Sequence, residues 1–137
     1  MKMIMVEKAG LKEDFIAWNV APSYASMFLE KCQDVDGMVA LSPYMFNDSM
    51  HLDNPHQLFA VNCAFWCRVY REAESSKEQN EALASIRATY YMANSLGQGS
   101  ITVLITRWWD AARPLHGLNS LNVSPVARQK TALTHIH

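Results

Sequence analysis

The chain is short of several things, and each shortage closes off a class of function. No apolar run approaches the roughly 18–20 residues that cross a bilayer. Glu7 and Lys8 interrupt the apolar start before a signal-peptide core can form, so a cytoplasmic protein without a membrane span is expected. Cysteine is scarce and odd in number. Cys32, Cys63 and Cys67 have no disulfide-framework spacing and read as reduced thiols packed like small hydrophobes. A glycine-rich phosphate loop, a G-x-S-x-G elbow and a paired-carboxylate motif are all missing, which removes the linear signatures of phosphoryl transfer and of common hydrolases. There is no excess of one charge either. The net charge of −1 offers no general attraction to nucleic acid or anionic lipid. Acids are nonetheless unevenly spread, and none follows Asp110. Residues 1–54 hold eight acids and four bases, and residues 55–137 hold five and eight, a split of −4 against +3. That split suits contact between the halves, or a mildly basic C-terminal arm.

The chain does hold enough apolar residues to enclose a core, half of its 137 positions. They crowd most densely between Asp53 and Glu74. There Asn54 can cap a helix and Pro55 suits its first turn. Leu58, Phe59, Phe65, Trp66, Val69 and Tyr70 then cover a very wide arc of a helical wheel, leaving only Gln57, Arg68 and Glu72 as a wet strip. So narrow a polar face belongs to a helix surrounded by others. The expected fold is all-α, an irregular bundle of four to five helices around this central helix at about 55–74.

Elsewhere the periodicity is helical too. Met1–Val6 is a short edge strand or a leader. Leu11, Phe15 and Trp18 then recur at i, i+4 and i+7, with Lys12, Glu13 and Asp14 on the opposite face. Pro22 kinks this helix or starts another, and Tyr24, Phe28, Cys32 and Val35 carry the pattern on to Asp36-Gly37. Residues 38–53 fit neither helix nor a clear strand. They read as a long apolar loop with Tyr44, Met45 and Phe46 as pegs into the core or as a partner surface. Ser75 and Ser76, followed by Glu78 and Gln79, make overlapping capping boxes that start a helix over 77–96. Its core side holds Leu83, Ile86, Tyr90, Ala93 and Leu96, and the short link makes an antiparallel hairpin with the central helix. ITVLITRWWDAAR reads as a helix over 100–113 ended by Pro114, with Ile101, Leu104, Ile105, Trp108 and Ala112 inward. One domain over 1–113 is expected, with 114–137 as an irregular tail that packs partly or exchanges with a neighbour.

Trp109 falls on the wet side of that last helix beside Thr102, Thr106 and Arg113. An exposed Trp flanked by Arg107 and Arg113 has the composition of a binding hot spot. Asn62 sits on the apolar side of the central helix, where an unpaired amide would cost roughly 1–3 kcal/mol. It bonds a loop carbonyl, lines a pocket or pairs with a symmetry mate. His56, Cys63 and Cys67 form one stripe, at i, i+7 and i+11, without the close pairing of a structural zinc site. No metal or cofactor is assigned. From Thr89, positions Ala93, Gly97 and Val103 match a helix-turn-helix, but amphipathicity turns Val103 outward where a reading helix would bury it.

The leading functional reading is a small non-catalytic interaction protein, adaptor or chaperone-like, acting as a homodimer through Trp109, Arg107, Arg113, Tyr44, Met45 and Phe46. The alternative is a small-molecule-binding module or enzyme, with Asn62 and His56 lining a pocket between the central helix and the 38–53 loop. The third is a helix-turn-helix-like DNA-binding regulator.

Overall fold

A computed structural model of the chain describes residues 4–41, 54–116 and 121. It is a mainly helical bundle with five helices and a small sheet among those residues. In chain order they are β1 (Ile4–Glu7), α1 (Lys8–Ala17), α2 (Pro22–Lys31), β2 (Gln33–Val35), β3 (Met38–Leu41), α3 (Pro55–Glu72), α4 (Ser76–Ser95) and α5 (Gly99–His116). No helix among the described residues is long and apolar enough to cross a membrane.

α3 is the hub. It packs against β1 and against each of the other four helices. Asn54 caps it, the side chain accepting the Gln57 N–H at 3.4 Å, and Pro55 opens its first turn. Phe59 to Cys67 is almost wholly buried, and Asn62 alone of these nine is only half-buried. Phe65 is fully buried, meets Phe28 of α2 at 5.8 Å and Trp66 at 5.5 Å, and Phe28 in turn meets Phe15 of α1 edge-on. This aromatic chain ties three helices into one core.

The 11–35 stretch departs from one long helical pattern at two places. Asn19 takes a positive φ of 58°, a conformation asparagine tolerates, and the Val20 N–H turns back to the Phe15 carbonyl. α1 therefore ends at Ala17, and Pro22 starts a separate helix. The second departure is at Cys32, where the chain becomes extended. Asp36 and Gly37 do not end a helix. Both have positive φ, 51° and 80°, and they form the two-residue turn of a β-hairpin that pairs Val35 with Met38. β3 also pairs antiparallel with β1, Val6 opposite Val39, giving the order β1-β3-β2. Residues 38–41 are thus a strand and not loop. The expected pegs Tyr44, Met45 and Phe46 lie outside the described residues.

The hairpin of α3 and α4 follows the expected signals. Ser75 accepts the Glu78 N–H, and Glu78 reaches back to the N–H of Glu74, one residue earlier than a strict capping box. Leu83, Ile86 and Ala93 face the core, Tyr90 is half-buried, and Leu96 stands outside at the helix end. ITVLIT is helical, and α5 runs through Pro114 to His116 instead of stopping at the proline. In the segment after it, Leu121 is buried and its carbonyl accepts the Tyr91 hydroxyl.

Replacing Trp66 by Ala should cost about 3–5 kcal/mol in urea unfolding, the range for a large buried aromatic. A loss below about 1 kcal/mol would contradict the packing around α3.

Candidate functional site

The polar strip of α3 was expected to meet water, and instead it holds the N-terminal segment. Gln57 is buried and its Oε1 accepts the Ala21 N–H at 2.9 Å. Arg68 Nε donates to Asp14 Oδ2 at 2.8 Å, with the arginine side chain only 15% exposed. Both carboxylate oxygens of Glu72 accept the Glu7 N–H at 3.1 Å. As the chain runs from Glu7 through Asp14 to Ala21, its partners run backwards along α3 from Glu72 to Gln57. The segment from Glu7 to Ala21, with α1 within it, therefore lies antiparallel along about 22 Å of the central helix.

Asp14 was placed on the solvated face of α1, and its side chain is in fact 1% exposed. It sits three residues after Leu11 and four before Trp18, so it shares their inward face. Its second oxygen accepts from Arg71 Nη1 at 3.1 Å. Two arginines on one carboxylate satisfy a charge that would otherwise be strongly disfavoured inside the protein. Gly10 belongs to the same knot. A Cβ built there would lie 2.6 Å from the Arg68 guanidinium carbon, so a side chain at this position would make the arginine shift from the place where it meets Asp14. The knot is a structural device, since every charge in it faces another group of the same chain.

Asn62 and His56 each meet a neighbouring helix, and residues 42–53 of the segment expected to form a pocket with them lie outside the described residues. Asn62 Nδ2 donates to Thr89 Oγ1 of α4 at 2.6 Å, and the Thr89 hydroxyl donates in turn to the Ser85 carbonyl. His56 Nδ1 pairs with Ser100 Oγ at the start of α5, 3.1 Å away. The stripe His56, Cys63, Cys67 is split: the histidine is half-buried, whereas both thiols are fully buried, and burial pushes them up from the ordinary thiol range. Thiols held protonated are poor nucleophiles.

On α5 the two tryptophans exchange the roles expected of them. Trp109 is 1% exposed and Trp108 only partly buried. The inward stripe is Ile101, Ile105, Trp109 and Ala112, a face rotated from the one drawn through Leu104 and Trp108. Both alternatives follow helical spacing, and long-range partners decide between them. The Arg87 guanidinium of α4 lies 5.0 Å over the Trp109 ring, and Trp108 meets Tyr70 of α3 edge-on at 5.2 Å. Trp109 therefore cannot serve as a surface hot spot.

Exposed apolar side chains lie at Met5, Ile16 and Val35 in the N-terminal half and along α4 and α5. A shallow open groove of about 210 Å³ lies between them, lined by Tyr90, Thr102, Val103, Thr106 and Arg107. Val103 is 49% exposed on its edge, and Met92 and Leu96 are more than half exposed on α4 and at its end. Arg107, Asp110 and Arg113 are also exposed on α5, so two of the arginines expected at an interface do lie at the surface. An exposed Val103 leaves a helix-turn-helix without its buried aliphatic anchor. Comparison with protein-family models, with curated proteins and with solved structures finds no match.

Gly10→Ala should destabilise the protein by about 1–3 kcal/mol, because it drives Arg68 from Asp14. In an Arg68→Ala background the same change should be neutral or stabilising by about 0.5–1 kcal/mol, the ordinary gain for alanine inside a helix. Chemical denaturation of the four proteins measures both, and a stabilising Gly10→Ala in the wild type would contradict the knot.

Proposed function

We propose that this is a small non-catalytic interaction protein of the cytoplasm, working as a homodimer through the outer ridge of α4 and α5. One observation carries the reading: Val103 stands exposed on the edge of an open groove that is too small for a cofactor. Ligand pockets occupy roughly 300–1,000 Å³ and enclose most of their guest. A groove of about 210 Å³ with apolar edges suits a side chain of a docking protein surface. The groove contains Arg107, one of the residues whose type marks interface anchors. Two fully buried thiols, Cys63 and Cys67, agree with a reducing compartment.

The reading differs from a Trp109-centred contact in what holds the two copies. Trp109 belongs to the internal core, so the apolar contact comes from Val103 and its neighbours, and Arg107 and Asp110 add charged groups on the same face of α5.

Val103→Glu should convert the wild-type dimer to monomer in light scattering at high micromolar concentration, because a carboxylate closed into an apolar contact is disfavoured. Its unfolding free energy, measured on the monomeric species, should stay within about 0.5 kcal/mol of the wild type, as for a surface position. A monomeric wild type at that concentration, or an unchanged dimer in the variant, would refute the reading.

A further inference from the structure

We infer that the partner is a second copy laid antiparallel across α5, with Arg107 of each protomer paired to Asp110 of the other about a two-fold axis. This rests on the homodimer reading and adds the geometry of the contact. Ser100, Val103, Arg107 and Asp110 are spaced 3, 4 and 3 residues apart, so they lie along one face of the helix, and all four are exposed. That face carries one cation and one anion, about 4.5 Å apart along the axis. A two-fold contact requires that if residue i meets residue j of the partner, then j meets i. Two antiparallel copies satisfy that rule when the axis passes midway between positions 107 and 110. Both ion pairs then form at once, and no like charges are opposed.

The local chemistry leaves these groups open to a partner. Among the described residues no carboxylate pairs with Arg107. Asp110 has only a loose contact of 3.9 Å with Arg113, and its side chain remains 62% exposed. Ala111, beside Asp110, is exposed and small, so the facing helix can approach closely; it falls opposite the partner's Thr106 in this register. Thr106 lines the groove, so the groove of each copy flanks the axis and faces the C-terminal half of the partner's α5. A parallel arrangement of the same face would stack Arg107 on Arg107 and Asp110 on Asp110, which electrostatics opposes.

The test is charge reversal with complementation. Arg107→Asp and Asp110→Arg each place two like-charged pairs across the axis and should weaken the dimer at least about tenfold. Mixing the two variants should restore a heterodimer within about threefold of the wild-type affinity, since both opposite-charge pairs return. The double variant R107D/D110R should dimerise alone for the same reason. Sedimentation equilibrium of the wild type, the single variants, their mixture and the double variant reads all of these, and far-ultraviolet dichroism checks that each exposed-site variant is folded. A monomeric wild type overturns both the homodimer reading and this geometry. A dimeric wild type whose single variants are not rescued by mixing overturns the geometry alone.

Discussion

The Asp14 carboxylate, closed off from water between Arg68 and Arg71, is the constraint around which the N-terminal third is arranged. A buried charge is tolerated only with its partners in place. Arg68 extends towards α1, and its guanidinium lies where a side chain at Gly10 would stand. Those two features fix how close α1 lies to α3 and in which direction it runs. Glu72 then meets the Glu7 N–H at one end, and Gln57 meets the Ala21 N–H at the other. With the residue before α1 fixed at Glu7, β1 is delivered next to β3, and the sheet closes its Val6–Val39 face onto the core.

The other side of α3 is joined to α4 and α5 differently. There the contacts are mainly apolar, with Asn62 bonded to Thr89 of α4 and His56 to Ser100 of α5, while Arg87 of α4 stacks on Trp109 of α5. α3 thus presents a polar seam to one half of the bundle and an apolar seam to the other. Exposed apolar groups lie on both sides, Met5, Ile16 and Val35 in the N-terminal half and Met92, Leu96 and Val103 on α4 and α5.

The helices were readable from sequence wherever a cap met a long periodic segment. Asn54-Pro55, Ser75 with Glu78, and Gly97 with its φ of 70° mark boundaries that the structure keeps within a residue or two. The central role of α3 followed from its wide apolar arc. The sheet was missed because its strands are only three or four residues long, too few to establish a period, and the Asp36-Gly37 hairpin signal was read as a helix end. The charged knot was missed because a wheel treats Arg68 as wet, whereas a long cation also reaches an inward acid on a neighbouring helix. Asp14 did leave a trace, being spaced with Leu11 and Trp18. Trp108 and Trp109 both fit an inward stripe, and only Tyr70 and Arg87, distant in sequence, choose between them. Of the candidate site, Arg107 and Arg113 were legible as surface groups, and the groove between α4 and α5 was not, because its walls come from two helices.

A double-mutant cycle between Asp14 and Arg68 tests the central claim most directly. Urea unfolding at one fixed protein concentration would be measured for the wild type, Asp14→Ala, Arg68→Ala and the pair, fixed because dimerisation couples to stability. If the buried ion pair organises the N-terminal third, each single change should cost about 3–5 kcal/mol. The double change should cost little more than either, with a coupling of at least about 1–3 kcal/mol. Additive losses with no coupling would mean that Asp14 and Arg68 stabilise the protein independently, and the account of how α1 is held on α3 would be wrong.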